Sequence, residues 1–116
     1  MNDIQFCEAQ KGDLKYIVQM LADDPLGIKR ERFESPLPSS YSNAFDSIDK
    51  DSNNALILAI LKDEIIGVLQ LTFIPNLTYQ GSWRAMIEGV RVSSKFRSKG
   101  IGQSLIQEAI RRANIK

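Results

Sequence analysis

The sequence predicts an α+β domain in which a mixed, mostly antiparallel central sheet is flanked by helices. Three observations lead to this fold class. Strand-like apolar segments occur four times, apolar residues recur at helical spacing three times, and the order is strand, helix, helix, strand, strand, strand, helix. The 116 residues are about the length of one domain and show no internal boundary, so residues 1–116 are predicted to form a single domain.

The first predicted elements are a short strand and an amphipathic helix. Residues 4–10 begin with apolar and polar residues in alternation, which predicts the strand. Cys7 lies in this apolar stretch, and we expect it to be buried in the core. The helix follows because four apolar residues share one helical face, namely Leu14, Ile17, Val18 and Leu21. We expect it to end within residues 23–27, where a proline and a glycine occur.

Residues 27–54 have the least regular pattern of the chain. Pro36 and Pro38 predict a stiff, extended connector. After this connector we expect a second helix that is capped by Ser39 or Ser40. Three of its residues would share one apolar face, namely Tyr41, Phe45 and Ile48.

The middle of the chain predicts an antiparallel hairpin and one further strand. Residues 55–61 form a continuous apolar run, which is typical of a strand covered on both faces. A short polar connection leads to a second strand at 65–74, which Pro75 ends. A loop at 76–83 and a strand at 84–93 complete the predicted sheet.

The last predicted element is a helix at 102–115 that follows a short basic loop. Five residues form its expected apolar stripe, namely Leu105, Ile106, Ala109, Ile110 and Ala113. A strand that enters a helix through a glycine-containing turn directs several free backbone N–H groups at one spot. Such a spot favours an anion, usually a phosphate.

Composition excludes several classes of function. The chain has no histidine, which excludes His-based triads and His metal sites, and we predict no metal site. A single cysteine excludes an internal disulfide, and no secretory signal is visible, so we expect a cytoplasmic protein. No apolar run reaches the roughly 18 residues that span a membrane, so we predict no membrane partner.

Charge is concentrated near the C-terminal end. From Arg84 onward the chain carries eight Lys or Arg and two acids, a net charge of +6, whereas the residues before Arg84 carry −5. This asymmetry indicates a local anion site rather than a nucleic-acid surface spread over the whole protein. Few aromatic residues accompany the basic ones, which also argues against stacking on single strands, and we predict no nucleic-acid partner.

The residues of the basic loop limit which known type of phosphate-binding motif it can be. Lys95, Arg97 and Lys99 place positive charge beside the helix start, and Gly100 and Gly102 let a ligand approach the backbone. The loop lacks the Gly-x-x-x-x-Gly-Lys-Ser/Thr pattern of a Walker loop. A dinucleotide fingerprint would need a third glycine where the chain has leucine at position 105.

This block resembles the acetyl-CoA-binding motif of the GNAT superfamily of N-acetyltransferases. The family loop reads Arg/Gln-x-x-Gly-x-Gly/Ala, and Arg97, Gly100 and Gly102 match it in place. The order of elements resembles the family over the whole chain, but the specific match lies in residues 86–112.

The resemblance implies transfer of an acetyl group from acetyl-CoA to a primary amine of a small molecule or peptide, by direct attack. The backbone of the preceding strand would bind the pantetheine arm and polarise the thioester, and the loop N–H groups would bind the diphosphate. The implied cofactor-binding residues are Val90, Arg91, Val92, Arg97, Ser98, Lys99, Gly100, Ile101, Gly102, Gln103 and Ser104.

The resemblance also provides a candidate catalytic residue. Glu88 lies on the strand just before the pantetheine-binding segment, and we expect it to be a partly buried general base. The alternative is a structural carboxylate paired with Arg84 or Arg91. Tyr79 and Trp83 either line the acceptor site or pack an ordinary loop.

The match departs from the family pattern after the last helix. Family members continue with another strand, a helix and a hairpin, and a tyrosine in that part usually protonates the departing thiolate. We therefore expect a C-terminally truncated domain, or a homodimer in which a second copy supplies the missing strand. Two other functions stay open: a non-catalytic acyl-CoA-binding fragment or regulatory module, and a small nucleic-acid-binding protein.

Overall fold

The computed structural model describes residues 3–115, without the side chain of Ile115, and it has the α+β architecture that the sequence predicts. Four strands and five helices form in the described residues. In chain order they are β1 (Gln5–Glu8), α1 (Leu14–Leu21), α2 (Pro25–Arg30), α3 (Ser39–Lys50), β2 (Asn54–Leu61), β3 (Glu64–Pro75), α4 (Thr78–Gly81), β4 (Trp83–Val92) and α5 (Ile101–Ile115). None of these helices is long and apolar enough to cross a membrane.

The sheet has the order β1-β2-β3-β4, so each strand pairs with its neighbour in the sequence. All three pairings in the described residues are antiparallel. The predicted hairpin is formed by β2 and β3, and Leu61 pairs with Glu64 across a tight turn. Lys62 and Asp63 both have positive φ in this turn, as a two-residue hairpin connection requires. The sequence predicts a mixed, mostly antiparallel sheet, and the described residues contain only antiparallel pairings.

Helices cover both faces of the sheet and produce two apolar clusters. On one face α5 packs on β2 and β3 through Ile101, Leu105 and Ala109. On the other face α1 and α3 pack on the same strands, with Ile17 and Phe45 buried. Residues 57–59 of β2 have no exposed surface, which explains why the strand reads as a continuous apolar run.

The connection after α1 differs from the prediction. Residues 23–27 were expected only to end α1, but Pro25 begins α2. The Asp24 carboxylate accepts a hydrogen bond from the N–H of Gly27 and so caps the new helix. Proline suits the first position of a helix because that position has no helical acceptor for its N–H. The same proline therefore separates two helices instead of leading into an irregular loop.

Two further corrections concern helix ends and loops. Pro38 is the N-cap of α3, so Ser39 is the first helical residue and neither serine caps the helix through its side chain. The loop predicted at 76–83 contains α4, a single turn in which Tyr79 and Gln80 have positive φ.

The prediction that Cys7 is buried is wrong, because Cys7 is exposed. β1 lies at an edge of the sheet, and Phe6 packs against the apolar cluster under α5. Successive side chains of a strand point to opposite faces, so Cys7 points away from that cluster.

The apolar stripe of α5 is narrower than predicted. Ile106 and Ile110 are 39% and 51% exposed, because the row spaced four residues apart (Ile101, Leu105, Ala109) makes the contact with the sheet. Ile106 and Ile110 lie on the adjacent face of the helix.

Candidate functional site

The candidate site is built on β4, and a bulge interrupts the pairing of this strand with β3. Gln70 pairs with Glu88 and Val68 pairs with Arg91, so one residue of β3 faces two residues of β4. Gly89 is one of the two and has a φ of +61°, a conformation that glycine adopts at little cost. A bulge bends its strand and leaves an extra residue outside the ladder. The bulge therefore places unpaired backbone in the middle of the predicted pantetheine-binding strand.

The outer edge of β4 is also unpaired within the described residues, because β4 is the last strand in the sheet order. Val90 and Val92 are half-buried and pack against the cluster under α5. A free strand edge offers N–H and C=O groups to an extended ligand, which pairs like an added strand. The N–H and C=O groups at this edge are therefore suited to hydrogen bonds with the extended arm of a coenzyme.

Glu88 lies on β4 with its side chain on the sheet face opposite α5. Its neighbour Ile87 packs on the α5 side, and strand side chains alternate between faces. Glu88 is exposed, so the expected partial burial is wrong. The alternative of a structural ion pair is not found in residues 3–115, because Arg84 donates to Asn76 and Glu88 forms no ion pair. A carboxylate without a partner is available to accept a proton.

The loop between β4 and α5 presents free backbone donors. Ser98 and Gly100 have φ values of +66° and +80°, which turn the chain sharply before α5 begins. The Ser104 N–H is the first of α5 that donates to a backbone oxygen, at 3.0 Å from Gly100 O. No described acceptor binds the N–H groups of residues 99–103. These donors and the positive end of the helix dipole favour an anion.

The three basic side chains of the loop do not all face that spot. Lys95 Nζ lies 3.7 Å from Glu64, and Arg97 donates hydrogen bonds to the carbonyl oxygens of Val92 and Asp23. In the described residues Lys99 has no ion-pair partner. The Ser104 hydroxyl donates to Gly100 O, so it is used within the helix end. The positive charge expected at the anion spot therefore comes mainly from Lys99 and the backbone.

The structure brings the end of β4 and the start of α5 together. The Arg97 side chain reaches the carbonyl oxygen of Val92 at 3.2 Å. A Cβ atom added to Gly102 would lie 3.8 Å from Val92 Cγ2, an ordinary contact. The predicted pantetheine-binding and diphosphate-binding segments are thus continuous, whereas Glu88 lies before the bulge and on the other face of the sheet.

The two aromatic residues proposed for an acceptor site are both exposed. Tyr79 is 90% exposed, so it does not pack within its loop. Trp83 lines a hollow of about 310 Å³ with Phe73 and Ala113, which places it on the α5 side of the sheet. Trp83 therefore does not share a face with Glu88.

Sequence reasoning missed a large cavity next to the loop. It has a volume of about 1120 Å³ and lies between α1, residues 28–34, the β2–β3 turn and residues 93–95. Tyr16, Ile28 and Phe33 contribute partly exposed apolar surface to it. Because the residues that line the cavity come from four separate segments, no local pattern could have indicated it.

A bulged edge strand that enters a helix through a loop with free N–H groups gives this α+β domain a surface suited to an anionic ligand. Residues 18–115 match the family model described as "Acetyltransferase (GNAT) family". The chain therefore belongs to the GNAT acetyltransferase family, and the predicted resemblance and fold class are confirmed. Among curated proteins, no match is found.

Solved structures share the fold of this chain. A transcriptional regulator from Bacillus halodurans C-125 is 58% identical, with a TM-score of 0.92 over 96% of this chain and 74% of that one. An acetyltransferase from Trypanosoma brucei is 21% identical, with a TM-score of 0.76 over 97% and 75%. A predicted acetyltransferase from Clostridium acetobutylicum, described with acetyl-CoA, is 15% identical, with a TM-score of 0.72 over 96% and 73%. The last two likenesses concern the fold alone.

Members of the GNAT family typically bind acetyl-CoA, and the residues present fit that ligand. The free N–H groups of residues 99–103 suit a diphosphate, and the free edge of β4 suits the amide-containing arm.

Proposed function

We propose that this chain transfers an acetyl group from acetyl-CoA to a primary amine of a small molecule or peptide, by direct attack in a ternary complex. The observation that carries the proposal is the continuity of two features: a bulged strand edge and a loop of N–H groups, both of which lack partners in the described residues. Glu88 lies just before the bulge on the same strand. Family membership provides the general chemistry, and these residues provide candidate roles.

The loop and α5 would bind the diphosphate through the N–H groups of residues 97–102, with Lys99 as an added positive charge. The backbone of residues 90–92 would pair with the pantetheine arm and direct an N–H group at the thioester oxygen, where negative charge develops. Bound acetyl-CoA would supply the thioester, whose C–S bond breaks as the N–C bond forms. Coenzyme A would leave as the thiolate, which becomes the thiol by taking up a proton that balances the one the amine loses.

Glu88 would act as the general base of this reaction. The attacking nitrogen must lose a proton, and an exposed carboxylate on the strand next to the thioester-binding segment can accept it, directly or through one water. Its position on the face opposite α5 predicts that the acceptor approaches from the face that α1 and α3 partly cover.

Two measurements test this function in order. Calorimetry with acetyl-CoA and with DNA should give binding to acetyl-CoA alone. A thiol-release assay over a panel of polyamines, amino sugars and peptides should then identify an amine that accelerates release. Binding to DNA without binding to acetyl-CoA would overturn the proposal.

One observation favours a second candidate, a non-catalytic acyl-CoA-binding module with a regulatory role. The structure that is 58% identical to this chain is described as a transcriptional regulator. For such a module, calorimetry would give acetyl-CoA binding, but no amine in the panel would accelerate thiol release. The thiol-release assay therefore separates the two candidates.

A further inference from the structure

Two adjacent acidic residues in the turn between α1 and α2 contact two arginines of the candidate site. The Nη2 atom of Arg97 lies 2.7 Å from the carbonyl oxygen of Asp23 and 3.8 Å from its Oδ2. Arg91 Nε lies 3.7 Å from Asp24 Oδ2. We call these four residues (Asp23, Asp24, Arg91 and Arg97) the acidic-turn latch. It joins segments that are more than 60 residues apart in the sequence.

The guanidinium of Arg97 bridges two backbone oxygens on different segments. Nε donates to Val92 O at 3.2 Å, at the end of β4, while Nη2 donates to Asp23 O in the turn. The planar guanidinium carries several N–H donors in fixed positions, so it can donate to both oxygens at once. A lysine ammonium is a compact charge at the end of a flexible side chain and does not bridge two separate acceptors in this way. The Arg97 side chain is thus used within the protein, although its position in the motif first indicated a charge for the ligand.

The second contact of the latch, between Asp24 and Arg91, involves the turn between α1 and α2. The Asp24 carboxylate accepts a hydrogen bond from Gly27 N at the start of α2, and this bond, with the charge of Arg91, lowers the pKa of Asp24. Asp24 is therefore ionised at neutral pH and faces a cation on β4. Arg91 also donates to Val90 O at 2.9 Å, next to the bulge. The turn is consequently held at the start of α2 and on β4.

We propose that Arg97 is a positioning residue that acts through the acidic-turn latch. It holds the loop against the α1–α2 turn, so that the N–H groups of residues 99–103 are already oriented when an anion arrives. Orientation before binding reduces the entropy that binding must overcome. The identity of the anion as the diphosphate of acetyl-CoA rests on the proposed function, but the latch itself does not.

The substitution Arg97→Lys separates positioning from simple charge. Positioning predicts that Arg97→Lys and Arg97→Ala both weaken acetyl-CoA binding about tenfold, because neither side chain bridges Val92 O and Asp23 O. In the active enzyme the loss should appear in the KM for acetyl-CoA, with kcat unchanged at saturation. Lys99→Ala is the matched control, since it removes from the same loop a charge that has no ion-pair partner among residues 3–115. Its smaller effect should vanish at high salt. Wild-type affinity in Arg97→Lys would overturn the proposal.

A second readout needs no cofactor, so that failure of the proposed function and failure of the latch are distinguishable. Amide hydrogen exchange of the free protein should be faster in Arg97→Lys than in Lys99→Ala, both in residues 21–27 and in residues 97–103. Equal exchange in these two variants would overturn the latch even if acetyl-CoA binds. Faster exchange in a protein that binds no acetyl-CoA would retain the latch and reject the proposed ligand.

Discussion

β2 and β4 are strands of one antiparallel sheet and are separated only by β3. They nevertheless differ in burial, in the number of neighbouring strands and in regularity. Three successive residues of β2, at positions 57–59, have no exposed surface, whereas β4 has no buried residue. β2 has a strand on each side and helices on both faces, while β4 has one neighbouring strand and a bulge at Gly89. The difference indicates that β2 contributes to stability, and it leaves β4 accessible for the ligand binding that we propose.

The same contrast explains the charge distribution. The buried core contains no polar or charged residue among those described, so stability depends on apolar packing. β4 and the following loop carry Glu88, Arg91, Arg97 and Lys99, which water or a ligand can reach. If the comparison is correct, substitutions on the two strands should affect different measurements.

The largest expected effect is that of Glu88→Gln on the rate of acetyl transfer. Loss of a general base typically costs 10²- to 10⁴-fold in rate, and we expect a fall of that size in kcat. Thermal unfolding should be unchanged, because Glu88 is exposed and has no ion-pair partner in the described residues. Asp49→Asn removes an equally exposed carboxylate from α3 and serves as the control. A full rate in Glu88→Gln would remove Glu88 from the mechanism.

Leu58→Ala should give the converse result on β2. Leu58 is completely buried between β1, β3 and the helices of one face, so the substitution should lower the free energy of unfolding by about 2–5 kcal/mol. Met86→Ala on β4 is the control, since Met86 is 43% exposed and should cost much less. Denaturant unfolding measures both, and similar costs would show that β4 also belongs to the stabilising core.

The contrast between the two strands also decides what the sequence could predict. The hairpin was predictable because residues 55–61 are apolar on both faces, a direct consequence of two-sided burial. The turn before α5 was predictable because glycine spacing and the helix start are local features, whereas its binding of an anion stays a prediction. α2 was missed because Pro25 was interpreted only as a helix breaker, although Asp24 before it is a signal for a helix start.

The errors about exposure have a common physical origin, which is that exposure depends on distant parts of the chain. Cys7 and Ile110 have apolar neighbours in sequence, but the surface that would cover them is not within the described fold. The contact between Arg97 and Asp23 spans 74 residues, so no local pattern indicates it. Local patterns therefore predicted the four strands, α1, α3, α5 and the turn before α5, but not which side chains are already used within the protein.

α5 packs on β2 and begins directly after the loop that follows β4, so it contacts both regions of the comparison. A substitution in its C-terminal half should have a smaller effect. Hydrogen bonds from Arg111 and Arg112 lower the pKa of Glu108 from 4.5 to about 2. Because the folded-state pKa is depressed, the carboxylate stabilises the fold above pH 4.5, and this contribution is lost as the pH falls toward 2. Glu108→Gln should lower stability at pH 7 by up to about 1 kcal/mol and leave the KM for acetyl-CoA unchanged. A difference in stability that persists at pH 2 would contradict this assignment.

Gly102→Ala at the other end of α5 should have the smallest effect and the opposite sign. A Cβ atom there would meet only Val92 Cγ2 within 4 Å, at 3.8 Å, so the fold has room for it. Alanine in a helix is favoured over glycine by about 0.5–1 kcal/mol, and thermal unfolding should show a gain within that range. The family loop accepts glycine or alanine at this place, so acetyl-CoA affinity should stay within about threefold of wild type, or about 0.6 kcal/mol. Together these results would show that the start of α5 tolerates a stabilising change without loss of ligand binding. A large loss of affinity would instead mean that the ligand approaches the Gly102 backbone more closely than in relatives with alanine.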